Sequence, residues 1–253
     1  MGAWFGCALP VDFGDWQREY WFAHKSVALI DKNYRCYFSF TGPDRVRYLN
    51  AIFTNNIKDL APSQGNASLL LNPQGRILAE IETYALPESL FCVSYALIRE
   101  RLNETLDKYI IMDDVTLTDE TQLFGTLALE GPEAARIARD LTSVDLISLP
   151  ELARRDARVA TIPCSVIRRS PGRVPAAEFL VERAHLESLW QILLEKTKAA
   201  GGGPTGYKAL NALRLEQGIP WFSYDFGEKQ IPHEAALENS HISFTKGCYT
   251  GQE

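Results

Sequence analysis

Long apolar runs, paired cysteines and an excess of positive charge are all missing from this sequence, and each absence removes a class of function. No stretch approaches the roughly 18 consecutive apolar residues that a membrane-spanning helix requires. The five cysteines, Cys7, Cys36, Cys92, Cys164 and Cys248, are odd in number, scattered, and contain no C-x-x-C pair. They read as reduced thiols, not as a disulfide frame. Lys and Arg total 26 against 32 Asp and Glu, a formal charge of −6, so the cationic excess that coats nucleic acid through counterion release is lacking. Neither a G-x-G-x-x-G or Walker loop nor a G-x-S-x-G nucleophile elbow occurs. The opening Met-Gly-Ala-Trp-Phe-Gly has no basic region followed by an apolar run, and Gly6 stands where a myristoylation signal wants Ser or Thr. The expectation is a soluble protein of the cytoplasm, or of an organelle matrix in a eukaryote, with no membrane partner and no direct nucleic-acid partner.

What is present is an ordinary globular composition, 46% hydrophobic and 23% charged over 253 residues, enough for one large core or two modest ones. An internal echo organises it. Tyr37 to Leu49 (YFSFTGPDRVRYL) and Thr126 to Ala138 (TLALEGPEAARIA) each run apolar alternation, Gly-Pro-acid, then a helical pattern, with Gly42 and Gly131 lying 89 residues apart. Alternation makes a half-buried strand, glycine permits the turn, proline suits a helix's first position, and Asp44 or Glu133 favours the positive helix end.

The elements downstream of each copy repeat as well. After the first come strand Ala67 to Leu71, a turn at Asn72-Pro73-Gln74-Gly75, strands Arg76 to Tyr84 and Leu90 to Val93, and a helix with Leu102, Leu106, Tyr109 and Ile110 on one stripe. After the second come strand-like Ala160 to Ile167, a turn around Pro171-Gly172, strand-like Ala177 to Val181, and a helix with Leu186, Leu189, Trp190, Leu193 and Leu194 on one stripe. The fold class expected is therefore α+β, a duplicated module of mostly antiparallel sheets with packed helices, since tight hairpins leave no room for parallel crossovers. One domain is expected over 1–253, built from pseudo-repeats 22–122 and 123–200 and a terminal segment 201–253. In that segment Gly201-Gly202-Gly203-Pro204 reads as a flexible joint before a helix Tyr207 to Gln217, with Thr205 as N-cap and Gly218 at C′.

The sequence closes on Lys246-Gly247-Cys248-Tyr249-Thr250-Gly251-Gln252-Glu253. Glycines on both sides let the backbone bend sharply and a neighbouring cation favours thiolate, so Cys248 reads either as a reactive thiol or as an inert small hydrophobe. His233, His241 and Cys248 have spacings that fit no closed zinc pattern, and no metal is expected.

The octapeptide resembles the signature K-G-C-[FYW]-x-G-Q-E of the YgfZ family, folate-binding proteins related to the glycine-cleavage T-protein (aminomethyltransferase). The resemblance extends to Ser39 to Ile57, to Leu69 to Ile81, and to Leu213 to Pro220 (LRLEQGIP). It implies a T-protein-like duplicated fold around tetrahydrofolate, or a one-carbon derivative of it, with Cys248 as the active thiol and Lys246 lowering its pKa. It also implies folate contacts from Asn55, Arg214, Tyr249, Gln252 and, more weakly, Glu178. The C-terminal β-barrel that usually follows the signature in the family is not among these residues. By bare residue statistics Arg214 and Glu216 could equally form a solvated helix face, and Trp221, Phe222 and Tyr224 could pack a core instead of a ring-binding pocket.

One departure matters for chemistry. T-proteins carry an Asp-Asp pair in the hairpin strand, and here the positions hold Ala79 and Glu80, which argues against an active aminomethyltransferase. A placed carboxylate displaced by about 1 Å can cost 10²-fold. By alternation Glu80 also reads as a plain outward-facing strand residue, with Ile77, Ala79 and Ile81 buried. Three functions are open: a YgfZ-like tetrahydrofolate-binding protein supporting iron-sulfur cluster assembly or repair together with iron-sulfur assembly proteins, with indirect effects on tRNA modification; a folate-dependent aminomethyl- or methyltransferase using Glu80; and a folate-free interaction scaffold.

Overall fold

The computed structural model describes residues 1–170 and 174–252, so the turn expected around Pro171-Gly172 lies outside the described residues. In chain order the elements are β1 (Gly2–Trp4), β2 (Cys7–Leu9), α1 (Trp16–Lys25), β3 (Ala28–Asp31), β4 (Arg35–Thr41), α2 (Arg45–Ile52), β5 (Gly65–Leu71), β6 (Ile77–Ala85), β7 (Leu90–Tyr95), α3 (Arg99–Tyr109) and β8 (Thr116–Asp119). Then come β9 (Phe124–Glu130), α4 (Ala134–Thr142), β10 (Arg154–Val159), β11 (Ile162–Arg169), β12 (Ala176–Glu182), α5 (Leu186–Ala199), β13 (Gly203–Pro204), α6 (Tyr207–Glu216) and the short α7 (Glu238–His241). The duplication is explicit in the sheets. One has the order β5-β6-β7-β4-β8 and the other β10-β11-β12-β9-β3, extended by β13. Hairpin pairs run antiparallel, and β13 against β3 is parallel.

The chain forms two compact units, Met1–Arg35 with Gln122–Ile219, and Cys36–Thr121 with Pro220–Glu253. The strand that precedes each Gly-Pro copy is spent in the opposite sheet: β3 pairs with β9, and β8 pairs with β4. The two echo glycines make this possible. Gly42 has φ +96°, and a Cβ there would lie 2.2 Å from the Asp114 carbonyl oxygen, just ahead of β8; Gly131 has φ +137°, and its Cβ would lie 2.5 Å from the Ser26 carbonyl oxygen, just ahead of β3. The adjoining acids seal the same joint, Asp44 N–H donating to Asp114 O at 3.3 Å and Glu133 N–H to Ser26 O at 3.0 Å. Pro43 and Pro132 fall in the turn before the N-caps Asp44 and Glu133, not at the first helical position, and neither acid caps its own helix through its side chain.

Each unit has its own core. In the first, Leu127, Leu129, Val166, Phe179 and Val181 meet Leu189 and Leu193 of α5. In the second, Phe38, Phe40, Leu69, Ile77, Ala79 and Ile81 meet Leu49 of α2 and Leu102 and Leu106 of α3. Both helical stripes read from the sequence face these cores, and each fully buried aliphatic contributes about 1.5–3 kcal/mol.

Three local expectations need correction. Ala160 lies in the β10–β11 turn at φ +53°, so the strand expected from Ala160 begins at Ile162. Its partner β10 shows no strand period in the sequence, because Arg154, Arg155, Asp156 and Arg158 mask the alternation at a sheet edge. Gly201 to Pro204 is no loose joint: a Cβ on Gly202 would lie 2.0 Å from the Val27 carbonyl oxygen, and Gly203–Pro204 is ladder-paired to β3. The N-cap of α6 is Gly206, not Thr205. Its N–H donates to Glu19 Oε2 at 2.9 Å, while Oε1 accepts from Phe13 N–H at 2.6 Å, so a carboxylate from α1 supplies the negative charge a helix start favours.

Candidate functional site

In the second unit the alternation along β6 buries Ile77, Ala79 and Ile81 and turns Glu80 to the opposite face. That face is not plain solvent. The Glu80 carboxylate accepts from the Tyr95 hydroxyl at 2.7 Å and lies 3.1 Å from His241 Nε2, while Nδ1 of the same ring lies 2.7 Å from the Ser240 hydroxyl. Side-chain exposure is 22% for Glu80 and 10% for His241, so the carboxylate is held from two sides with part of its surface accessible. Thr54 anchors the arrangement: its hydroxyl donates to His241 O at 2.7 Å and accepts from Leu69 N–H at 2.8 Å. Tyr95 in turn stacks on Phe222, centroids 5.1 Å apart. Phe222 is buried and Tyr224 is 45% exposed, so core packing accounts for the first aromatic and not the second. His241 and Tyr95 were not legible as site residues; His241 sits in an irregular segment where only its spacing could be judged.

The terminal signature folds against the same unit. The Lys246 ammonium is directed at the carbonyls of Asn50, Phe53 and Asn55, satisfying acceptors at and beyond the end of α2, and burial pulls its pKa down to about 8. It also lies 5.1 Å from the Tyr249 ring centroid. Thr250 N–H donates to Ala51 O at 3.2 Å. Gly251, at φ +78°, comes so close to the Asn72 turn that a Cβ would lie 2.2 Å from the Asn72 carbonyl oxygen. Those contacts leave Cys248 exposed, whereas Cys36, Cys92 and Cys164 are buried. Gln252 Oε1 accepts from Tyr249 N–H at 3.3 Å. Asn55 is committed to the loop itself, donating to Ala67 O at 2.7 Å and accepting from Asn56 N–H at 2.8 Å.

In the first unit Glu178 is fully buried and meets three cations. Arg35 grips both carboxylate oxygens at 2.7 and 3.1 Å, Lys32 approaches at 2.8 Å and Arg169 at 3.5 Å. Burial alone would raise the Glu178 pKa, but Arg35, Lys32 and Arg169 outweigh it and hold the carboxyl well below its usual range. Burial likewise opposes the charge on Lys32, and Glu178 and Glu130 hold it above the usual lysine range. Arg214, nearly buried on α6, donates from Nε to Asn211 at 2.9 Å. Glu216 stands apart from it, with an exposed side chain bonded to Tyr20 and His24.

These features define an α+β protein with a duplicated sheet and two half-buried carboxylates on the hairpin strand, Glu80 and Glu82, of which Glu80 is the one paired with a histidine. The model of the GCVT N-terminal domain family matches residues 1–246, and the chain belongs to that family. It is 26% identical to a protein named aminomethyltransferase from Streptomyces avermitilis, covering 98% of this chain and 67% of that one. It is 28% identical to an aminomethyltransferase from Herpetosiphon aurantiacus, covering 97% and 70% respectively. The chain thus spans about two thirds of the length of these relatives. Its fold matches the crystal structure of glycine cleavage system aminomethyltransferase T from Bartonella henselae with a TM-score of 0.87 at 20% identity, over 99% of this chain and 68% of that one. The T-protein-like α+β architecture expected from the sequence is therefore present. Among the described residues no helix is long and apolar enough to cross a membrane.

Proposed function

We propose that this protein binds tetrahydrofolate and handles a one-carbon unit on it as an aminomethyl- or methyl-transferring member of its family, with Glu80 as the acid-base carboxylate. The observation that carries the reading is the support built around Glu80. An acid at position 79 would point into the core among Ile77 and Ile81, so Ala79 sacrifices no outward-facing carboxylate, and Glu80 keeps one on the open face. Tyr95 and His241 fix both oxygens of the longer side chain, which offsets the misplacement an added methylene would cause. The Ala79-Glu80 replacement is thereby compatible with transfer, contrary to what the residue types alone suggest.

The groups present suit the ligand's chemistry. The tetrahydropterin nitrogen that carries the one-carbon unit needs a carboxylate within reach to take or give its proton, and Glu80 keeps accessible surface for it. Tetrahydrofolate would supply the nitrogen that carries the one-carbon unit; Glu80 would hold or move the proton there. Asn55, Arg214, Tyr249, Gln252 and Glu178 remain folate contacts in this proposal, with Asn55 and Glu178 acting through the loops and ion pairs they hold. The test is turnover of purified protein with tetrahydrofolate and a one-carbon donor. Turnover lost in Glu80→Gln supports the reading, and undiminished turnover in that variant contradicts it.

A second reading is favoured by the exposed thiol in the octapeptide. On that reading the protein is YgfZ-like, binds tetrahydrofolate without transfer, and supports iron-sulfur cluster assembly through Cys248, with Lys246 and Gly251 fixing the loop. Restoration of cluster-enzyme activity in a deletion strain by the parent but not by Cys248→Ala would favour it; equal restoration by both would end it.

A further inference from the structure

A separate hollow of about 630 Å³ opens within the first unit, walled by Trp16, Gln17, Tyr20 and Trp21 of α1 and by Ala212 and Glu216 of α6. Its walls are aromatic and set at an angle: the Tyr20 and Trp21 rings lie 5.2 Å apart at 78°. Trp21 is 49% exposed while its ring rests against Tyr20 and His24. The polar element is a carboxylate. Glu216 Oε2 receives the Tyr20 hydroxyl at 3.0 Å and lies 3.0 Å from His24 Nε2, while Oε1 makes no hydrogen bond among the described residues. The indoles already attract ammonium groups, Lys25 Nζ lying 4.5 Å from the Trp21 centroid and Lys208 Nζ 4.9 Å from that of Trp16. Neither lysine lines the hollow.

We propose that this hollow is an aromatic cage for a small methylated ammonium cation. Three aromatic side chains, Trp16, Tyr20 and Trp21, with one carboxylate beside them supply what a quaternary ammonium group prefers, because negative ring faces attract the cation and its methyl groups need no hydrogen bonds. The volume lies within the range of small-ligand sites, roughly 300–1,000 Å³. A primary ammonium would leave N–H donors short of acceptors there, so methylation is selected for. Lys25 and Lys208 stand over two of the same rings and oppose the cation, an opposition that added salt weakens.

The test is a titration of the full chain with choline chloride, following tryptophan fluorescence and the choline methyl proton signal. The controls are sodium chloride at matched ionic strength and 3,3-dimethylbutan-1-ol, choline's neutral isostere. Saturable quenching and an upfield methyl shift with choline alone are expected, with affinity about tenfold weaker in Trp21→Leu and also weakened in Glu216→Gln. Both side chains are exposed, so circular dichroism unchanged from the parent is expected for each variant; Gln17→Ala, on the same wall, provides a further variant with an intact core. An equal response to the neutral isostere, or undiminished choline affinity in folded Trp21→Leu, overturns the proposal.

Discussion

Glu80 and His241 stand 161 residues apart in the chain and meet with Oε1 and Nε2 separated by 3.1 Å, on a carboxylate whose other oxygen takes the Tyr95 hydroxyl. If Glu80 moves the proton in transfer, Glu80→Gln lowers turnover by about 10²–10⁴-fold. His241→Gln keeps a donor for the carboxylate and lowers kcat by about tenfold with a displaced pH profile, as expected of a positioning residue. Steady-state rates across pH measure both.

The Glu178 cluster sets a stability prediction with a definite sign. Its folded pKa lies below the unfolded value of 4.5, so its contribution is present above pH 4.5 and is lost as pH falls below it. Lys32 is raised above 10.5, so its share is present below pH 10.5 and is lost as pH rises beyond. Glu178→Gln leaves buried cations short of a partner and is expected to cost about 3–5 kcal/mol at neutral pH, with a flatter acid limb in denaturant titrations at pH 3 to 7.

Gly42→Ala and Gly131→Ala are expected to fail alike. Each puts a methyl within 2.5 Å of a backbone carbonyl at positive φ, a strain on the order of 1–3 kcal/mol or more. Melting temperatures lowered on the order of 5–10 °C in both would show it. Gly227→Ala, with no atom within 4 Å of the added carbon, serves as the neutral comparison.

The thiols should separate in a native-state titration with a disulfide reagent. Burial raises Cys36 and Cys92 to about 12 and Cys164 to about 11, leaving little thiolate at neutral pH. Cys248 is exposed and Cys7 intermediate. A single fast phase that disappears in Cys248→Ser is expected, with a slower one from Cys7 behind it.

Much of this architecture could be read in advance because it rests on local rules. The two Gly-Pro copies, the β5–β6 hairpin and the apolar stripes of α3 and α5 are set by period and turn chemistry. What could not be read depends on long-range pairing. Nothing near Ala28 or Thr116 says that β3 and β8 exchange sheets, and the approach of Gly202 to Val27 looks like flexibility in sequence. Within the site, Glu80 was visible by alternation, but Tyr95 and His241 reach it from other segments of the chain. The N-terminal helix α1 gave one usable sign, Asp15, whose side chain accepts from Gln17 and Arg18 N–H at 3.1 Å.

Tetrahydrofolate binding underlies the whole proposal, and calorimetric titration of the full chain, paired with thermal unfolding, measures it. A saturable heat is predicted, with a melting temperature raised by about 5–10 °C at a hundredfold excess over Kd. Absence of both heat and shift at millimolar ligand would contradict the account and leave a folate-free scaffold in its place.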